Sequence, residues 1–331
     1  MTLSKLAQLA NVSVSVVSKA FSGRNDISDA MREHVFRVAR EHGCFQQFYH
    51  VPYDKPVVAV IIPEIISDYY VRYVQILKRC MEERGYTMLL SISNFDRALT
   101  SDLVHYYTVH NKTQGLLLWN PPDRAIPDGL STAIISFGTG EGQSIGAHIC
   151  QDARAGIAQA LTDLAARGHH RIGYVGEPFT EAKKQILCEE MANVGLTPRP
   201  EWMITARTRF EEAGREGIRQ LLVREERPTA VFAAYGYVTR GVLEELQAQG
   251  LQVPRDLSVI SMDNEPSPLD PQMDVACIPS DIERRCAIAM ELLEERMHAE
   301  QPNALRHIVL PTVFHPGQSI SSPERSISKR H

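Results

Sequence analysis

Residues 2–23 read TLSKLAQLANVSVSVVSKAFSG, and this stretch decides how the amino end of the chain folds. Apolar residues recur at helical spacing in its first half, and Thr2 is a suitable cap for the helix that they predict. Asn11 stands where a tight turn needs a residue that tolerates positive φ, and Ser13 can cap a second helix that Gly23 ends. The spacing therefore predicts two short helices joined by a tight turn.

A third helix is predicted between Ser28, a suitable cap, and Gly43, a residue that favours a helix end. Two helices joined by a turn form a helix-turn-helix when the second presents a polar face outward. Short polar side chains on that face can approach phosphates and base edges, and valines can contact a thymine methyl group. The face carries Ser15, Ser18 and Lys19, with Val14 and Val16 beside them. A three-helix cap with solvated polar residues fits the same spacing equally well.

These residues resemble the helix-turn-helix of the LacI–GalR family of bacterial repressors. Residues 17–23, VSKAFSG, are similar to the family's V-S-R-x-L-N-G, and the similarity covers some 40 residues from Thr2 without a gap. The resemblance implies that Val14, Ser15 and Lys19 face the major groove. The expected DNA-binding residues are Thr2, Ser13, Val14, Ser15, Val16, Ser18, Lys19, Asn25, Phe48 and Tyr49.

The segment after the third helix departs from the family pattern. Family members usually carry P-N-x-x-A-R here, which folds on DNA as a hinge helix and wedges a leucine into the minor groove. Residues 44–56 of this chain read CFQQFYHVPYDKP, without the arginine, and Pro52 would break a helix. Either an aromatic side chain such as Phe48 or Tyr49 intercalates between base steps, or these rings pack the head onto the body. We favour the second interpretation.

From Val57 onward, short apolar runs alternate with amphipathic helical segments. Residues 57–62 form an apolar, largely β-branched run, which is typical of a strand buried on both faces of a parallel sheet. Two successive series of strands and helices predict an α/β fold, with a three-helix helix-turn-helix head followed by two doubly wound parallel-sheet subdomains and a ligand cleft between them.

We expect the following domain boundaries. They are 1–44 for the DNA-binding domain, 45–56 for the linker, 57–320 for the effector-binding and dimerisation core, and 321–331 for a disordered tail. Within the core, the N-subdomain takes about 57–168 and 279–308, and the C-subdomain takes about 169–278 and 309–320.

The body also resembles the LacI–GalR family. Residues 167–176, RGHHRIGYVG, are similar to the family's L-G-H-R-R-I-A-Y-I-G. Residues 228–234 and 250–264 resemble the effector-binding core that the family shares with periplasmic sugar-binding proteins. The resemblance implies a repressor that binds pseudo-palindromic double-stranded operator DNA and responds to a small-molecule effector. Because one recognition helix reads only a few base pairs, we expect a homodimer.

Ligand sites in open α/β sheets form at the carboxyl ends of strands, and sugars need paired polar groups and a stacking ring. The candidate effector-binding residues are Asp68, Tyr69, Tyr70, Asn94, Asn120, Asp152, Lys183, Lys184, Tyr235 and Asp263. Sugar-binding family members carry Asn-Asp where this chain has Tyr235-Gly236, and often an arginine where it has the two lysines. The lysines favour an acidic or phosphorylated effector, although solvated residues at a helix start explain them equally well. Asp263 has an alternative role as the cap of the next segment.

Charge is divided unevenly along the 331 residues. Residues 1–50 hold six basic and four acidic side chains, a net charge of +2, whereas the remaining residues hold 29 basic and 36 acidic ones, a net charge of -7. A slightly basic head on an acidic body fits a DNA-binding domain attached to a sensor. The six cysteines are scattered singly, the start is polar, and no apolar run approaches 18 residues. We therefore expect a cytoplasmic protein, nucleoid-associated on DNA, without a membrane partner.

No catalytic residues, metal ligands or cofactor are predicted, and we expect no enzymatic activity. Residues 142–146, GQSIG, match the G-x-S-x-G of serine hydrolases, but the predicted strand follows the motif instead of preceding it. The alternatives to a regulator are a cytoplasmic sugar-binding protein and a sugar-metabolising enzyme on the same α/β scaffold.

Overall fold

The computed structural model describes residues 1–23, 26–49, 55–120, 122–127, 129–138, 146–263 and 273–323. The chain divides into two compact units, Met1–Pro56 and Val57–His331. The first unit contains the predicted DNA-binding domain and linker, and the second contains the predicted core and tail. Asn25, Pro52, residues 142–145 of the hydrolase-like motif and residues 324–331 of the predicted tail lie outside the described residues.

The described part of the first unit holds four helices, α1 (Leu3–Leu9), α2 (Val14–Phe21), α3 (Asp29–Glu41) and the single turn α4 (Phe45–Phe48). The hydroxyls of Thr2, Ser13 and Ser28 each accept a hydrogen bond from a backbone N–H in the first turn of α1, α2 and α3. Each cap of this kind stabilises its helix by about 1 kcal/mol. Asn11 has a φ of 51° and Gly23 a φ of 69°. The predicted caps and turn are therefore confirmed.

The aromatic rings of the predicted linker pack inside the first unit. The ring centroids of Phe48 and Phe21 lie 5.7 Å apart, and Tyr49 stacks on Phe45 at 4.6 Å. Phe36 of α3 meets Phe45 edge-on at 5.1 Å. The aromatic side chains of α4 thus pack against the apolar surface that Phe21 and Phe36 form. Neither interpretation of the linker included this arrangement.

Strands and helices alternate along most of the second unit. Its described strands are β1 (Val57–Ile62), β2 (Thr87–Ile92), β3 (Gly115–Trp119), β4 (Ala133–Gly138), β5 (Ala147–Asp152), β6 (Ile172–Gly176), β7 (Met203–Thr205), β8 (Ala230–Ala233), β9 (Ser258–Met262), β10 (Cys277–Ile278) and β11 (Arg306–Pro311). Its described α-helices are α5 (Asp68–Glu83), α6 (Arg97–His105), α7 (Arg154–Ala166), α8 (Glu181–Asn193), α9 (Phe210–Leu222), α10 (Gly236–Ala248) and α11 (Ile282–Met297). A π-helical turn, Tyr106–His110, continues α6.

The strands form two parallel sheets, in the orders β11-β5-β4-β3-β1-β2 and β10-β9-β8-β6-β7. In the first sheet, α5 and α11 cover one face with buried side chains such as Leu77 and Leu293, and α6 covers the other with Val104. In the second, α7 and α8 cover one face and α9 and α10 the other. Burying each large aliphatic side chain contributes about 1.5–3 kcal/mol. The predicted α/β class with two doubly wound subdomains is confirmed.

The chain passes between the subdomains three times within the described residues, after β5, after β10 and after β11. The crossing after β10 follows Ile278. The predicted border at 168 is too late, because α7 packs Leu161 and Leu164 into the core of the second subdomain. The border at 308 is too early, because β11 pairs with β5 as far as Pro311. Helical periodicity identifies the apolar face of a helix but not the sheet that the face covers.

None of the helices described here is long and apolar enough to cross a membrane.

Candidate functional site

A cavity of about 490 Å³ lies between the two subdomains of the second unit. The first subdomain contributes Glu64, Ser67, Asp68, Tyr69, Tyr70, Arg72, Phe95, Trp119, Asn120, Phe137 and Gly138, together with Ser280, Ile282 and Arg285 from the returning chain. The second contributes Glu177, Phe179, Thr180, Ala182, Lys183, Arg209, Tyr235, Gly236, Tyr237, Arg240 and Asp263. Most of these residues follow the carboxyl ends of parallel strands, where open α/β sheets bind ligands. The volume is that of a small-molecule site.

Seven of the ten predicted effector residues line this cavity. They are Asp68, Tyr69, Tyr70, Asn120, Lys183, Tyr235 and Asp263. They lie together because the strands before them are parallel neighbours, so that their carboxyl ends share one edge of each sheet.

The other three predicted residues do not line the cavity. Asn94 is exposed in a turn with a φ of 53°, and its neighbour Phe95 enters the cavity instead. Asp152 ends β5 at the first crossing, where its carboxylate accepts the backbone N–H of Arg154 at 2.9 Å. Lys184 donates to the Thr205 hydroxyl at 2.9 Å, and its Nζ lies 2.8 Å from a carboxylate oxygen of Glu181.

Lys183 lines the cavity, but its charge is already balanced. Its Nζ forms an ion pair with the carboxylate of Asp263 and donates to the carbonyl of Ala234 at 3.0 Å. The other carboxylate oxygen of Asp263 accepts a hydrogen bond from Ser280 at 3.4 Å. The segment that Asp263 was alternatively expected to cap lies outside the described residues.

Arg209 joins the two subdomains across the cavity. Its guanidinium donates to both carboxylate oxygens of Glu64, at 3.0 and 3.3 Å, and to Glu177 at 3.2 Å. Glu64 belongs to the first subdomain and is 6% exposed, whereas Glu177 belongs to the second and is 1% exposed. Burial lowers the pKa of Arg209, but the hydrogen bonds and charges of Glu64 and Glu177 outweigh it and raise that pKa. Beside this bridge, Phe95 and Phe179 stack across the cleft at 4.6 Å.

Arg285 of α11 reaches the cavity from the core of the first subdomain and is 2% exposed. It donates to the hydroxyl of Tyr69 at 3.1 Å and to the carbonyl of Ile149 at 3.4 Å. Its guanidinium lies over the rings of Tyr73 and Phe137, at 5.4 and 5.6 Å from their centroids. The sequence prediction included neither Arg209, which follows β7, nor Arg285, which lies within α11 and not in a loop after a strand.

In the first unit, α2 exposes Val14, Ser15 and Ser18, as the helix-turn-helix interpretation requires. Lys19 is half-buried, and its Nζ lies 2.7 Å from a carboxylate oxygen of Asp26. Val16 packs in part against the core of this unit. Within the described ranges, no group of three or more His, Cys, Asp or Glu side chains is placed to hold a metal ion.

Known proteins match both the head and the core. Residues 161–320 match the model of the periplasmic binding protein-like domain. The ribose operon repressor of Haemophilus influenzae is 23% identical over 325 residues, covering 94% of this chain and 96% of that protein. The Escherichia coli transcriptional repressor CytR is 26% identical over 283 residues, covering 80% of each protein.

These matches support a LacI–GalR family regulator. The resemblance drawn from residues 2–40 and from the body is therefore confirmed. The lac repressor dimer bound to operator and the anti-inducer ONPF superposes with a TM-score of 0.70 at 16% identity, covering 97% of this chain and 99% of that chain. This structural likeness supports a fold that includes both the head and the periplasmic-binding-protein-like core.

Proposed function

We propose that this LacI–GalR family member represses transcription as a homodimer, and that a small carbohydrate-related effector in the cleft changes its affinity for operator DNA. The observation that carries the proposal is the cavity itself, since both subdomains line it and Arg209 bridges them there. An effector shifts a conformational equilibrium only through its different affinities for the two states. A ligand that contacts both subdomains has such a difference whenever the cleft opens or closes.

On the DNA side, the proposal rests on the exposed face of α2. Val14, Ser15 and Ser18 form a small, polar-edged surface that can enter a major groove. Each head carries a net charge of only +2, so bulk charge supplies little affinity. Two heads on a two-fold operator about one helical turn apart supply the specificity that one head lacks.

On the effector side, the carboxylates of Asp68 and Asp263 and the amide of Asn120 can bind hydroxyl groups, and the rings of Tyr70 and Trp119 can stack on a sugar. The ribose operon repressor of Haemophilus influenzae is among the relatives, which is in keeping with a carbohydrate-related ligand. Lys183 and Lys184 do not favour an acidic effector, because Lys183 is paired with Asp263 and Lys184 lies outside the lining.

The test is fluorescence anisotropy with labelled DNA from upstream of the chain's own gene, at low and at moderate salt. We expect the parent to bind one pseudo-palindromic site saturably. Ser15→Glu places a carboxylate on the DNA-facing surface and should raise the Kd for that site by about tenfold or more. His42→Glu adds the same charge at the far end of α3 and should bind almost as the parent does. Absence of specific binding at low salt, or equal loss in both variants, refutes the proposal.

A further inference from the structure

We propose that the effector is a polyhydroxylated monocarboxylic acid, such as a sugar acid, whose carboxylate is held by Arg285. The inference rests on the proposed role of the cleft as the effector site. It concerns which chemical class of ligand that site accepts.

Unlike Lys183, Arg209 and Arg240, Arg285 has no carboxylate partner among the described residues. Lys183 pairs with Asp263, Arg209 with Glu64 and Glu177, and Arg240 with Glu211. The partners of Arg285 are a hydroxyl and a backbone carbonyl, both neutral. A guanidinium stays charged in proteins, and an uncompensated buried charge is costly. An anionic group on the ligand balances the positive charge of Arg285.

Two buried groups of the lining that can only donate hydrogen bonds have no hydrogen-bond partner among the described residues. One is the Nε–H of Arg285, and the other is the indole N–H of Trp119, whose side chain is 4% exposed. Both groups only donate, so they require acceptors. A carboxylate consists of two acceptor oxygens in the plane that an arginine recognises.

The charge of the lining selects a monoanion over a dianion. Among the described residues it contains five basic side chains (Arg72, Lys183, Arg209, Arg240 and Arg285) and four acidic ones (Glu64, Asp68, Glu177 and Asp263). Their net charge is +1, and it falls to zero when Glu211, the partner of Arg240 outside the lining, is included. Such a lining is better suited to one carboxylate than to a phosphate monoester, which carries close to two negative charges at neutral pH. The carboxylate of Asp68 and the amide oxygen of Asn120 can accept hydrogen bonds from hydroxyl groups, which is why the acid should be polyhydroxylated.

The test compares ligands that share a carbon skeleton and differ in the acidic group. Purified full-length protein is heated with D-glucose, D-gluconate, D-glucuronate or glucose 6-phosphate, and with galactose, galactonate, galacturonate or galactose 1-phosphate. A carboxylate that binds should raise Tm by about 5 °C at a hundredfold excess over its Kd, and its neutral counterpart should not. A larger shift with the neutral sugar or the phosphate, or no shift with any carboxylate, overturns the inference.

Two variants on the same helix then assign the carboxylate to Arg285. Arg285→Met keeps an apolar stem of similar shape but removes the guanidinium, and should weaken binding of the stabilising acid by about tenfold to hundredfold in calorimetry. Arg296→Met removes another buried arginine of α11, one that donates to the carbonyls of Pro302 and Ala304, and should leave that Kd unchanged. An acid that binds Arg285→Met as tightly as the parent contradicts the assignment.

The outcomes separate this inference from the proposed function. If an acid binds through Arg285 but leaves operator affinity unchanged, the proposed control of DNA binding fails while the ligand class stands. If a neutral sugar changes operator affinity, the control stands and the ligand class is wrong.

Discussion

Replacing Glu64 with glutamine removes the charge that Arg209 holds across the cleft and leaves the side chain almost the same size. The bridge consists of two charge-assisted hydrogen bonds, at 3.0 and 3.3 Å, to a carboxylate that is 6% exposed. Such bonds contribute about 1.5–3 kcal/mol together with their charges, and the partial exposure of Arg209 reduces this to about 2 kcal/mol. Arg209 keeps its bond to Glu177 at 3.2 Å, so no isolated buried charge is added to that figure.

A loss of about 2 kcal/mol lowers the ratio of molecules with the bridge formed to molecules with the cleft open by about 30-fold. The chain provides its own probe, because Trp119 lines the cleft and Trp202, the second of its two tryptophans, lies buried in the other subdomain. In a Trp202→Phe background, acrylamide should quench Trp119 more strongly in Glu64→Gln than in the parent.

The matched control is Glu244→Gln, which removes the carboxylate that Arg215 contacts at 2.6 Å between α9 and α10, away from the cavity. It should leave the quenching of Trp119 unchanged. If Glu64→Gln and the parent are quenched equally, the bridge does not hold the cleft together and the reasoning from these distances is wrong.

Three further changes test the packing of the chain. In Gly241→Ala the new methyl carbon would lie 1.9 Å from the carbonyl oxygen of Glu211, so the free energy of unfolding in urea should fall by about 3 kcal/mol or more. Gly195→Ala, whose methyl group meets open space, should lower it by about 1 kcal/mol, and equal losses in the two variants would contradict the close helix contact. Phe48→Ala removes a ring that packs on the core of the head and should lower the free energy of unfolding of the head by about 2 kcal/mol. Thermal unfolding followed by circular dichroism measures this change, and an unchanged stability would argue against the packing. Burial lowers the pKa of His169, so the unfolded chain binds the proton more readily, and the free energy of unfolding should rise as the pH rises towards 6.5. In urea denaturation at several pH values, His169→Gln should make the free energy of unfolding depend less on pH. An unchanged pH dependence would exclude His169 as its cause.

The features that could be predicted are those that depend on residues close together in the sequence. The caps at Thr2 and Ser13 and the turn at Asn11 depend on neighbours within four residues, so composition and spacing suffice to locate them. The strand at 57–62 has the predicted bounds, because its apolar run lies between Pro56 and Pro63. The same rule located Asp68 and Asp263 in the cleft, since both follow buried parallel strands.

Contacts between distant residues could not be predicted in this way. Glu64 and Arg209 are 145 residues apart, and no motif links a glutamate after one strand to an arginine before a helix of the other subdomain. Arg285 lies in a helix whose apolar stripe would normally exclude it, so its position facing the cavity depends on the three-dimensional course of α11. Lys184 shows the converse error, since adjacent residues on a helix point in directions that differ by about 100° and only one lysine of the pair could face the cleft.

The cleft therefore contains two kinds of polar group, and they have different consequences for control. The bridge of Arg209 to Glu64 and the pair of Lys183 with Asp263 are satisfied without a ligand, so the bridged cleft has its own stability. The guanidinium of Arg285 is not satisfied in this way, and it belongs to the first subdomain, whereas Asp263 belongs to the second. An acid whose carboxylate contacts Arg285 and whose hydroxyls reach Asp263 spans both sides only when the cleft is closed. Such a ligand binds the closed state more tightly than the open one, and this difference in affinity is the quantity by which it can change operator binding.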